Sequence, residues 1–106
     1  MVLAGCASAP LPSDRMASSQ ASIRGAEEVG AANVPRASLH LKLAQEEMTK
    51  AQALVKVGEN EQAELLLLRA QADAELALNL ARESDARAGA QKAVDKAQDF
   101  RETGKP

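Results

Sequence analysis

Residues 54–63 read LVKVGENEQA, and Gly58-Glu59-Asn60 at the centre separates two long stretches of helical periodicity. Upstream, Ala37, Leu41, Ala44, Met48, Ala51 and Val55 follow at spacings of four, three, four, three and four, a seam on one face of a helix over about 35–57. Leu39, Leu43 and Leu54 widen it. Downstream, Ala63, Leu67, Ala70, Ala74, Ala77, Ala81 and Ser84 repeat the same alternation. A turn this short sends the second helix back antiparallel against the first, so the stretch predicts an αα-hairpin of about 35–57 and 60–84 or longer. Seams made mostly of alanine bring two backbones nearer than leucine seams would, with less apolar area buried per layer.

Composition points the same way. The chain has 106 residues, with one phenylalanine and no tryptophan or tyrosine, and alanine dominates its apolar content. That disfavours strands and favours closely packed helices, an all-α class. So short a chain makes one domain at most and leaves little room for a large catalytic cleft. The net charge is −2, with acids and bases interspersed, so there is no basic face for nucleic acid. One cysteine allows no intrachain disulfide, and no stretch approaches the roughly 20 apolar residues that span a bilayer.

Outward from the hairpin, GAANVPR at 30–36 is a breaker. Glycine suits the position after a helix, and Pro35 disfavours helix at Val34 while fitting the start of the next one. Before it, a weaker helix is expected over about 14–30, capped by Ser13-Asp14, with a thin stripe through Met16, Ile23 and either Ala26 or Glu27. The architecture expected is a hairpin with this weaker N-terminal helix, extending to a three-helix bundle with a long C-terminal helix. After Ser84 the apolar set moves to Ala86, Ala90, Ala93, Ala97 and Phe100, a phase change near Gly89 where the helix either continues to about 102 or bends. The second helix spans about 30 Å and an unbroken third about 60 Å. Its overhang packs along the first helix, projects as a handle, or dimerises.

The third helix carries more leucine than one hairpin contact covers. Leu65, Leu66, Leu68 and Leu76 form a candidate partner face. Polar chemistry is sparse. His40 is the single histidine, expected on a solvated helix surface, and Glu46-Glu47 and Glu59 with Glu61 are expected as solubilising charge, with Glu46 and Lys50 an exposed i,i+4 pair. No phosphate loop, metal-ligand cluster or nucleophile elbow is present, so no catalytic residue, cofactor or metal is assigned and the chain is not expected to be an enzyme.

The chain begins MVLAGCASAP, and Leu3-Ala4-Gly5-Cys6 matches a bacterial lipobox at all four positions, with Cys6 as the lipidated residue. A secretory signal needs a basic region and an apolar run of about 7 to 15 residues before the cleavage site. Met1 is therefore expected to be an internal methionine of a longer signal peptide. This divides the chain into residues 1–5 as signal remnant, 6–13 as lipidated cysteine and flexible tether, 14–103 as the helical domain and 104–106 as a tail.

LVKVGENEQA with Ala70 resembles the inter-helix turn of a single tetratricopeptide repeat, without the aromatic positions of that repeat. Lipobox, tether, weak helix, GAANVP, the Leu41-Ala44-Met48-Ala51 spacing, Val57-Gly58-Glu59-Asn60 and Asp73 to Ala77 together resemble a family of small alanine-rich bacterial envelope lipoproteins classed as a domain of unknown function. The resemblance covers about 3–81. It implies a helical hairpin behind a lipid anchor and no established reaction. It also implies an outer-membrane location on the periplasmic face, since alanine and not aspartate follows Cys6. A peptidoglycan-binding envelope protein is an implied partner, and a homodimer is the other partner considered. The function expected is a non-enzymatic, lipid-anchored interaction or scaffold protein. The alternative is a soluble helical or coiled-coil scaffold without the anchor.

Overall fold

The computed structural model describes residues 9–104. Helix α1 runs Ser13–Glu28, a single 3-10 turn covers Ala31–Asn33, α2 runs Pro35–Lys56 and α3 runs Asn60–Thr103. No strand occurs among the described residues.

The hairpin forms at the glycine. Gly58 takes φ +81°. Its N–H donates to the Val55 carbonyl at 3.1 Å, and the Glu59 N–H donates to the Leu54 carbonyl at 2.9 Å. These two bonds are a Schellman closure, which satisfies carbonyls left open at the end of α2 and reverses the chain. Gly30, at φ +80°, ends α1 in a related way. Val34 is extended and Pro35 opens α2 at its first turn. The expected cap of α1 is not made: Ser13 is the first helical residue, Pro12 precedes it, and no side chain caps the helix.

The three helices form a bundle. Contacts of Arg15 with Glu64, Ser19 with Leu67 and Gly25 with Leu78 advance together along both chains, so α1 lies parallel to α3. α2 lies antiparallel to α3, with His40 beside Asp73 and Glu47 beside Arg69. Both predicted seams are buried except at their last positions, Val55 and Ser84, which are half-buried. Ala37, Leu41, Ala44, Met48 and Ala51 face Ala63, Leu67, Ala70, Ala74, Ala77 and Ala81, and most of these alanines have no exposed surface. Ile23, Ala26 and Ala31 close the core from the α1 side.

α3 is continuous through Gly89, where a Cβ would meet nothing within 4 Å. Of its 44 residues, those from 85 onward are all exposed. They form an arm of about 30 Å that continues past the bundle. α1 packs on the hairpin and not on this overhang. The resulting shape is a rod, 89 × 19 × 15 Å. No described helix is long and apolar enough to cross a membrane.

Candidate functional site

Two features stand out from an otherwise alanine-packed rod: a polar cluster between α2 and α3, and an uncovered face of α3. The cluster follows from helical register. His40, Ala44, Glu47 and Ala51 are spaced four, three and four along α2, and Ala70, Asp73 and Ala77 run beside them on α3. His40 Nδ1 and Asp73 Oδ1 are 2.9 Å apart, both side chains about three-quarters buried. His40 is therefore not the solvated surface residue the sequence suggested. Glu47 also departs from expectation, being only 7 % exposed, because it lies on the hairpin side of α2 while Glu46 faces solvent.

Glu47 Oε1 forms an ion pair with Arg69 Nη2 at 3.2 Å, and Glu47 Oε2 is buried without a hydrogen-bond partner. Burial and then the neighbouring Asp73 carboxylate raise the Glu47 pKa above its ordinary value of 4.5, against the pull of Arg69 and Lys50. The raised carboxyl and the histidine do not converge on a cavity. A cleft of about 500 Å³ lies away from them, at the end of the rod where residues 9–12 and the start of α1 meet the start of α3. There Asn60 Nδ2 donates to the Ala9 carbonyl at 3.0 Å and fastens the chain leading into α1 against the α2–α3 turn. Among the described residues no group of three or more His, Cys, Asp or Glu is placed to hold a metal ion.

The uncovered face is on α3. Leu65, Leu68 and Leu76 are 60 %, 41 % and 42 % exposed, on the side opposite the buried alanines. Leu66 belongs elsewhere: it is half-buried and packs against the core with Leu78 and Leu80. Of the four leucines read as a partner face, three are therefore outward and one supports the bundle. The phase change after Ser84 has the same origin. Leu65, Leu68, Ala72, Leu76, Asn79, Glu83, Ala86, Ala90, Ala93, Ala97 and Phe100 keep spacings of three or four throughout. The arm thus continues an outward stripe that begins at Leu65, while the buried stripe ends with the bundle. Helical phase alone could have separated Leu66 from Leu65, and the row from His40 to Ala51 could have flagged Glu47. Cys6 lies outside the described residues.

A family described as a domain of unknown function (DUF4398) matches residues 14–97, which is more than half of the chain and takes in α2 whole with most of α1 and α3. No curated protein and no solved structure matches. The chain belongs to the DUF4398 family.

Proposed function

We propose that this member of the DUF4398 family is a non-enzymatic, lipid-anchored interaction module of the bacterial cell envelope, held through Cys6 on the periplasmic face of the outer membrane. The observation that carries it is the outward row Leu65, Leu68 and Leu76, exposed on a helix whose opposite side is already buried by its own bundle. A helix apolar on two sides has a second contact to make. LAGC at 3–6 supports the anchor. More than one acyl chain on Cys6 would hold the protein stably, each buried CH₂ contributing about 0.8 kcal/mol. The Asn60–Ala9 bond supports a defined geometry, because it sets the tether at the turn end of the hairpin, with the arm tip at the other end of the rod. A peptidoglycan-binding envelope protein remains a partner in this reading.

The test is the intact mass of the protein taken from bacterial envelopes. The expected species begins at Cys6 and carries diacylglycerol and acyl groups. An unmodified chain starting at Met1 and recovered free of membrane overturns the anchor and leaves the second reading, a helical scaffold without lipid, which the long three-and-four spacing on the outward side of α3 favours.

A further inference from the structure

A shallow pocket of about 150 Å³ lies where the bundle ends and the arm begins. Because α2 runs antiparallel to α3, its first turn stands beside residues 80–87, and the pocket is lined by Val34, Arg36, Leu80, Glu83, Ser84 and Arg87. Leu80, Ser84 and Arg87 follow at spacings of four and three, so one face of α3 supplies an apolar group, a hydroxyl and a guanidinium in order. Two arginines here share one carboxylate. Glu83 Oε1 lies 2.8 Å from Arg87 Nη2, an exposed i,i+4 pair that contributes little and can exchange. The Arg36 guanidinium makes no ion pair or hydrogen bond with any described residue, and neither does the half-buried Ser84 hydroxyl. α2 also starts without an acidic residue in its first turn and without a side-chain cap, so Arg36 adds a like charge to the positive end of the helix.

We propose that this pocket binds a carboxylate carried on a small apolar group, specifically the C-terminal carboxylate of a peptide ending in a residue the size of alanine. A guanidinium fork matches a carboxylate with parallel N–H···O bonds. Arg36 and Arg87 hold the two oxygens from the α2 and α3 sides, and Ser84 donates its hydroxyl hydrogen to one of them. Val34 and Leu80, both half-buried, supply hydrocarbon for the terminal side chain. That contact distinguishes the ligand from inorganic phosphate, which has no apolar surface to bury. The volume takes a carboxyl group and a short side chain, so the rest of the peptide leaves over the surface. Glu83 is the competitor within the chain: the arriving carboxylate takes Arg87, and Glu83 turns to water. Leu65, Leu68, Leu76 and the lipid on Cys6 play no part, so this site and the anchored module stand or fall separately.

The experiment titrates the isotope-labelled full chain with N-acetyl-alanyl-alanine and follows the backbone amide signals of Arg36, Ser84 and Arg87 by nuclear magnetic resonance. Two exposed charge-assisted bonds predict a Kd on the order of 1 mM. The C-terminal amide of the same peptide is expected to bind at least about tenfold more weakly, and N-acetyl-glycyl-glycine at least about twofold more weakly. Arg36→Gln and Arg87→Gln are each expected to weaken binding at least about fivefold at unchanged helicity, because both side chains are exposed. Arg24→Gln, an exposed arginine of α1 outside the pocket, is expected to change it less than about twofold. Glu83→Gln removes the competitor and is expected to tighten binding at least about twofold. No saturable shift up to about 20 mM peptide overturns the proposal. So does equal affinity for the amide, binding of inorganic phosphate as tight as that of the peptide, equal weakening by Arg24→Gln, or weaker binding in Glu83→Gln.

Discussion

Ser19 donates its hydroxyl hydrogen to the carbonyl oxygen of Leu67 at 2.8 Å, and both residues have no exposed surface. The weak stripe of α1 is thus docked on α3 partly by a polar bond in a buried position. Ser19→Ala is expected to cost about 1 kcal/mol, the usual net worth of one such bond. Ser19→Val adds volume where none is free and is expected to cost about 1–3 kcal/mol. Urea unfolding followed by circular dichroism measures both, and an undiminished midpoint for Ser19→Val would mean that α1 does not pack as described.

Glu47 makes stability depend on pH in an unusual direction for a carboxylate. Its pKa is raised above 4.5 in the folded chain, by burial first and by Asp73 second. The folded state therefore holds the Glu47 proton more tightly than the unfolded chain does. Ionised Glu47 costs stability above the raised value, and that cost is relieved as pH falls through it towards 4.5. Glu47→Gln keeps an acceptor for Arg69 and removes the buried charge. It is expected to stabilise by about 1 kcal/mol at pH 8, a few degrees in Tm, with the gain shrinking near pH 5. Thermal melts of the two proteins across that range test the sign. A gain that grows on acidification would contradict it.

Two glycines should respond oppositely to alanine. At Gly25, inside α1, a Cβ would touch Leu78 Cδ1 at 3.6 Å, an ordinary contact. Gly25→Ala is expected to stabilise by about 0.5–1 kcal/mol by removing a helical glycine. Gly58 has open space around it but sits at φ +81°, which L side chains disfavour. Gly58→Ala is expected to destabilise by about 1–2 kcal/mol, through the backbone and not through a clash. Denaturant midpoints for the pair decide whether conformation or space controls the hairpin turn.

Leu66 and Leu68 separate folding from association. Leu66 packs on the core, so Leu66→Glu is expected to lower the unfolding free energy by about 2 kcal/mol or more. Leu68 is 41 % exposed on the outward stripe, so Leu68→Glu is expected to change monomer stability by less than about 0.5 kcal/mol while weakening association. Comparable losses of helicity in both variants would show that Leu68 belongs to the core.

Much of this fold is readable along the chain. The four-and-three spacing of Ala37 to Val55 and Ala63 to Ser84 picks out the buried rows, and Gly58 and Pro35 mark the ends of α2 because each position needs a backbone those residues supply. The site is less readable. Glu46-Glu47 looks like one exposed acidic pair, yet a single residue is about 100° of helix, and that turn carries Glu47 under α3 while Glu46 stays in water. Leu65 and Leu66 divide for the same reason. Ser19 is hidden in the sequence because a polar residue in a thin stripe reads as surface until the carbonyl opposite it is known. Gly89 carries no packing on either side, so nothing near it opposes a straight helix.

The alanine core has a calorimetric consequence. Among the described residues, ten of the fourteen buried apolar side chains are alanine. Unfolding therefore exposes less hydrocarbon to water per residue than a leucine-rich bundle would, and the arm exposes almost none. The heat-capacity increment of the single chain is expected to fall below the about 12–15 cal/mol/K per residue of ordinary globular domains. A small increment flattens the stability curve, so this rod trades a tall maximum for a broad one and keeps similar stability over a wide span of temperature.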